Sequence, residues 1–190
     1  MFDGADTVVL CDELAYTDIV PARARVLAGA PARSEMLALA ERNVRLLQVS
    51  STIDEHGQME KSEETSKVAG DLLRIETKLN LALDLLGQLL AAYAPRPAAV
   101  PVRFNTVAAC WSQPDLQTRV GDVAQLDIFL RECLIQPLSL VGTVDSVDSS
   151  GEISMQLQGN PEAVNDLIEK IVFRNHRRLV AGSRNTRRNP

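Results

Sequence analysis

Apolar residues recur at helical spacing from Ser34 to Tyr93, a run of about 60 positions. The second half is the more regular. Leu72, Ile75, Leu79, Ala82, Leu86 and Leu89 step by 3, 4, 3, 4 and 3 residues, the a/d spacing of a coiled-coil seam. Leu73, Leu83, Leu85 and Leu90 flank that row and widen the apolar face beyond what a two-stranded coil requires. In the first half a helix start is predicted at Ser34 and Glu35, a capping residue followed by an early acid. Leu37, Ala40, Val44 and Leu47 then follow at 3, 4, 3 spacing as its buried face. Between Asp54 and Lys67 the periodicity fades, with Met59 the only large apolar residue and Gly57 weakening any helix. A bend, a loop or a solvent-exposed stretch of helix fits there, so the two halves form either a hairpin or one rod about 90 Å long. A compact hairpin would bury its own leucines. The width of the face between Leu72 and Leu90 argues instead for covering by other copies of the chain.

Outside this stretch the pattern changes to period two. Pro95, Pro97 and Pro101 close the helical part, because proline cannot continue a helix interior. Val102 to Trp111 then reads as one strand, or as two with an irregular joint. Gln125 to Leu130 is another, with Leu126, Ile128 and Leu130 alternating. Leu138 to Val147 and Glu152 to Leu157 follow, separated by a turn from Asp148 to Gly151. Near the start, Thr7 to Leu10 is a short β-branched run predicted as a strand. Residues 20–33 carry Pro21, Gly29 and Pro31 and predict a connection with at most a short helix. Asn160, Pro161 and Glu162 open a last helix in the expected order of cap, first-turn proline and acid, with Val164, Leu167, Ile168, Ile171 and Val172 as its buried face. Phe104 and Trp111 are expected in the barrel core. The fold class is α+β: a small antiparallel β-barrel closed by one C-terminal amphipathic helix, carrying a long heptad-bearing helical insertion. Residues 1–30 and 97–176 make the barrel, 31–96 the oligomerisation insertion and 177–190 a basic flexible tail.

Composition narrows the function. The chain has 190 residues, 45% of them apolar, enough for a real core. No apolar run is long enough to span a membrane, and the acidic start from Met1 to Asp6 is unlike a signal peptide. Cys11, Cys110 and Cys133 lie far apart without metal-ligand spacing, which fits buried free thiols in a reducing cytoplasm. His56 and His176 sit in polar surroundings that suggest no nucleophile–base pair, and phosphate-loop and Rossmann glycine patterns are absent. These features point away from an enzyme and imply neither a metal nor a cofactor. The net charge of −5 conceals an asymmetry: Arg174, Arg177, Arg178, Arg184, Arg187 and Arg188 fall in the last 17 positions, where no acid occurs. Such a tail can bind anions or fold back on the acidic body. It has no aromatic residue to stack on bases, and the body would repel nucleic acid.

Four segments in order resemble a PilZ domain. Val120, Gly121 and Asp122 resemble the VGD turn that begins a core strand, and Leu140 to Val144 the L-x-G-x-V strand after it. Gly151 to Leu157 resembles the last barrel strand, and Asp166 to Arg174 the closing helix. The likeness covers about residues 100–178, and Thr7 to Leu14 would supply the first strand. With the helical insertion after that strand, the chain is similar to the atypical, tetrameric branch of PilZ domains. A homotetramer is therefore the first expectation and a dimer the second, built on Leu72, Ile75, Leu79, Ala82, Leu86 and Leu89.

The resemblance implies a bacterial regulatory protein of the cyclic di-GMP signalling kind. Members of the family use an RxxxR pair ahead of the barrel and a (D/N)xSxxG segment at its mouth. Arginine forks clamp phosphates and guanine edges, and the glycine admits backbone close to the ligand. Here the second motif falls on Asn105 to Cys110, where Asn105 fits, Val107 replaces the serine and Cys110 the glycine. No RxxxR precedes the barrel; Arg23 and Arg25 are two apart, and Arg33 is eight further on. The resemblance thus implies a degenerate site with weak or no cyclic di-GMP binding, and action through an unidentified protein partner. Two alternatives stand beside it. One is a working receptor that recruits Arg174 and Arg178, which do form RxxxR. The other is a nucleic-acid-binding oligomer with the basic tail as its arm.

Overall fold

The computed structural model describes residues 14–59, 72, 74, 75, 77–79, 81, 82, 86, 96–131 and 134–186, with only the backbone for 52–59 and 181–186. The strand expected at Thr7 to Leu10, Cys11, Cys133, and Leu89 with its flanking Leu73, Leu83, Leu85 and Leu90 lie outside the described residues. Six antiparallel strands close into a barrel: β1 (Tyr16–Val26), β2 (Ala99–Phe104), β3 (Ala108–Ser112), β4 (Val123–Ile128), β5 (Leu138–Val147) and β6 (Glu152–Leu157), in the order β1-β2-β3-β6-β5-β4. Helix α1 (Arg33–Met59) follows β1, and α2 (Glu162–Thr186) ends the described chain.

β1 corrects the expectation of a connection over residues 20–33, since strand continues to Val26. Its first half pairs with β2 and its second half with β4. Pro21 sits where the partner changes; it has no N–H to give, and its carbonyl accepts the N–H of Phe129 at 2.9 Å. Val20, Ala22 and Ala24 point inward between exposed Arg23 and Arg25. Alanine and proline are weak strand signals, which is why the alternation does not announce itself in the sequence.

The barrel is filled by Val102, Phe104, Trp111, Leu126, Ile128, Leu138, Leu140, Ile153 and Met155, all essentially inaccessible. The rings of Tyr16 and Phe104 stack at 4.9 Å. α2 adds Val164, Ile168, Ile171 and Val172 on the face expected from its spacing, with Leu167 partly buried. It also runs on to Thr186, through residues expected to be tail from 177. Arginine, leucine and alanine are all good helix formers, so positive charge there does not end the helix.

Helix α1 buries Leu47 of its predicted face, and Ala40 and Val44 of that face pack partly buried against the core. Leu37 is 53% exposed, whereas Leu39, Asn43, Leu46, Leu47 and Ser50 are buried. The helix start also differs. Glu35 Oε2 accepts the Ala32 N–H at 2.9 Å, so the acid reaches back to a cap at Ala32 rather than following one at Ser34. Leu46 and Leu47 belong to the barrel core, so the first turns of the insertion are also a wall of the barrel.

Two carboxamides finish the sheet where strands fall short. β6 pairs with β5 only from Gly142 onward, which leaves the Ser139 edge without a strand. Asn43 Nδ2 donates to the Ser139 carbonyl at 2.7 Å, and Asn43 Oδ1 accepts the Ser139 N–H at 3.1 Å. At the other shared strand, Gln113 Oε1 accepts the Ala24 N–H at 2.7 Å, and its amide donates to the Ala24 carbonyl at 3.4 Å. Beneath Asn43, the Ser139 hydroxyl and the Gln125 amide donate to Asp127 Oδ1 at 2.6 and 2.8 Å. Gly142 admits β6 at close range, since a β-carbon there would run into the Gln156 carbonyl.

Asn43→Ala is expected to cost about 1–3 kcal/mol in chemical denaturation, because it leaves two buried peptide groups without partners. Gly142→Ala should cost a similar amount, about 1–3 kcal/mol, through overpacking against β6.

Candidate functional site

Asn105, Val107 and Cys110 lie in and just after the β2–β3 turn. Asn105 is 5% exposed, and its Oδ1 accepts the N–H groups of Val107 and Ala108, each at 2.8 Å. Its own N–H donates to the Ala108 carbonyl at 3.0 Å. The asparagine is thus the staple of a tight turn, a role its short amide suits. Val107 is exposed at the tip. Cys110 is half-buried on the outer wall, opposite Arg103 on β2 and Ser154 on β6, and its thiol donates to Glu152 Oε1 at 3.0 Å. Where the PilZ motif has backbone alone, this chain has a side chain and an adjacent carboxylate.

A groove of about 640 Å³ opens beside the turn, between Asn105, Thr106 and the Asp166, Glu169, Lys170 and Phe173 side of α2. Among its described lining residues two carboxylates stand against one ammonium.

Arg174 and Arg178 do not join that groove. They line a separate cavity of about 80 Å³ with Tyr16, Asp18, Ser50, Arg131 and Asn175. Arg174 Nη1 donates to the Ser51 carbonyl of α1 at 3.2 Å, which ties the two helices together. The Tyr16 hydroxyl donates to Asp18 Oδ2 at 3.1 Å. Burial first, and then the Asp18 charge, push the Tyr16 phenol far above its ordinary value, so it stays protonated. Arg131 had no signal in the sequence: it stands alone after β4, and only closure of the barrel brings it to α2.

Leu72, Ile75, Leu79, Ala82 and Leu86 are all helical where described, so the expected period is that of an actual helix. All five are exposed in the single chain, the four larger ones from 52% at Leu86 to 63% at Ile75. A row this apolar at heptad spacing is the kind of surface that other helices cover. Among the described residues no three His, Cys, Asp or Glu side chains converge as metal ligands, and no helix is long and apolar enough to cross a membrane.

A family model described as an atypical PilZ domain, cyclic di-GMP receptor, matches residues 46–185. No curated protein matches the chain. Among solved structures it is similar to a pathogenic protein from Xanthomonas campestris, described as a new tetrameric PilZ domain self-assembled via an unusual helical bundle. The TM-score is 0.77 and the identity 23%, over 93% of this chain and 96% of that one. That likeness carries the fold: the closed antiparallel barrel and its C-terminal helix. The family match spans well over half of the sequence, from the core-facing part of α1 through every strand after β1 to the end of α2, and on that ground this chain belongs to the atypical PilZ domain family.

Proposed function

We propose that this chain is a cytoplasmic, non-enzymatic bacterial regulator that self-assembles through residues 31–96 and acts through protein contacts. Cyclic di-GMP binding at the motif position is weak or absent. One observation carries this: the motif residues are engaged elsewhere, and two carboxylates line the groove beside them. Asn105 Oδ1 holds its own turn, Val107 offers no donor, and Cys110 faces Glu152. Asp166 and Glu169 line the adjacent groove. A ligand with two phosphates needs positive charge and donors at that place, and the chain puts acids there.

Self-assembly rests on the exposed row Leu72, Ile75, Leu79, Ala82 and Leu86, continued in sequence by Leu89. Leucine at both seam positions with an apolar flank favours more than two strands, so a homotetramer is preferred over a dimer. The tetrameric helical bundle named for the Xanthomonas campestris protein supports the same arrangement. The reading in which Arg174 and Arg178 make a full cyclic di-GMP receptor is disfavoured by size: their cavity is about 80 Å³, whereas whole-ligand sites run to roughly 300–1,000 Å³. The basic end as a nucleic-acid arm is disfavoured by its engagement with the body. Arg174 bonds the Ser51 carbonyl of α1.

Calorimetric titration with cyclic di-GMP at moderate salt should give no saturable heat up to high micromolar ligand. Saturable binding abolished by changes at Asn105 or Arg103 would overturn the degenerate-site reading. Leu79→Glu combined with Leu86→Glu should reduce the mass seen by light scattering to about a quarter for a tetramer, or about half for a dimer. An unchanged mass would mean that the seam packs within one chain.

A further inference from the structure

The chain enters the barrel at the groove beside the motif turn. Leu14, the first described residue, lines that groove together with Asn105, Thr106, Asp166, Val172 and Phe173. Two residues on, Tyr16 begins β1 opposite Phe104, and the Thr17 N–H donates to Asn175 Oδ1 of α2 at 3.1 Å. The start of β1 is thus held between the end of β2 and the closing helix, so the polypeptide N-terminal to Leu14 is attached at the groove's own wall. Apolar surface stands open there. Leu14 is 45% and Phe173 55% exposed, beside the nearly inaccessible Val172.

Residues 1–13 lie outside the described residues, and their sequence supplies an apolar piece within reach. Thr7, Val8, Val9 and Leu10 form an uncharged run, bounded by Asp6 on one side and by Cys11, Asp12 and Glu13 on the other. Leu10 is four positions before Leu14, a span of at most about 14 Å for extended chain. The lining of α2 from Asp166 to Phe173 is about 10 Å long at the helical rise of about 1.5 Å per residue. We propose that Thr7 to Leu10 seat in this groove of the same chain, packing on Phe173 and Leu14 and covering the face of α2 beside the motif turn. The tether selects this occupant. A segment held four residues away is present at an effective concentration on the order of millimolar, which a free apolar peptide would have to exceed. Burying Val8, Val9 and Leu10 also requires no charge to be desolvated. The consequence, which rests on the reading that the chain acts through protein contacts, is a covered docking face: a partner reaching this side of α2 must first displace the segment.

Hydrogen exchange on the full-length protein tests the seating. The amides of Val8, Val9 and Leu10 should exchange at least about tenfold more slowly than in the free peptide of residues 1–13, and Phe173→Ser should remove most of that protection. Leu179→Ser, at a similarly exposed position of α2 outside the groove, should leave it unchanged. Because Phe173 is exposed, the circular dichroism spectrum of its variant should match the wild type. Disulfide trapping then identifies whose segment it is. In a Cys110→Ser, Cys133→Ser background, Cys11 should link under mild oxidation to the new thiol of a Lys170→Cys variant, and not to that of an Arg45→Cys variant. In co-assembled isotope-labelled and unlabelled chains, each linked pair of peptides should be labelled throughout or not at all. These readouts need neither cyclic di-GMP nor a partner, so they fail separately from the proposed function. Free-peptide exchange rates at Val8 to Leu10, protection unaffected by Phe173→Ser, or linked pairs of mixed label would each overturn the proposal.

Discussion

The pair of hydrogen bonds between the Asn43 carboxamide and the Ser139 peptide fixes how the helical insertion leaves the barrel. A helix can lie against a sheet at many angles if apolar contact is all that holds it. A buried amide with one donor and one acceptor, matched to a single peptide on an uncovered strand edge, permits only one register. From that anchor Leu46 and Leu47 fall into the barrel core and Ser50 lines the cavity with Arg174 and Arg178. The return is held in a similar way: Arg96 Nη2 donates to the Leu134 carbonyl at 3.0 Å, and its guanidinium lies over the Phe129 ring at 5.8 Å. An insertion fixed at both ends can transmit its position to the barrel. One tethered by a flexible linker could not.

Charge divides the closing helix into two faces of different use. One face presents Asp166, Glu169, Lys170 and Phe173 to the turn carrying Asn105. The other presents Arg174, Asn175 and Arg178 to Tyr16 and Arg131. The arginines of this helix therefore lie on the side of α2 away from the motif turn.

Much of the barrel was legible in the residues. β5 and β6 have the predicted limits, because long alternating runs around a glycine turn leave little choice. The second of the two options for Val102 to Trp111 is the one adopted, with Asn105 making the joint. β1 was hidden because its inward residues beyond Val20 are alanines and its middle is a proline. The buried face of α1 was read incompletely for a different reason: beside Ala40, Val44 and Leu47 it buries Asn43 and Ser50, polar residues that apolar spacing does not flag. The candidate site was half legible. The substitutions at positions 107 and 110 could be read from spacing, but the acids that line the adjacent groove come from α2, some 60 residues later in the chain.

By itself the sequence determined the local grammar: where period two gives way to helical spacing, which turns need glycine, and that an apolar row at heptad spacing runs from Leu72 to Leu86. These follow from side-chain periodicity and backbone sterics, which act over a few residues. Tertiary structure alone decided which strand edges were left for carboxamides to complete, and that Arg131 would meet Arg174 and Arg178. It also decided that the two faces of α2 would look into different cavities. Those are consequences of barrel closure, which brings together groups more than 40 residues apart, and no local pattern carries information about which of them will meet.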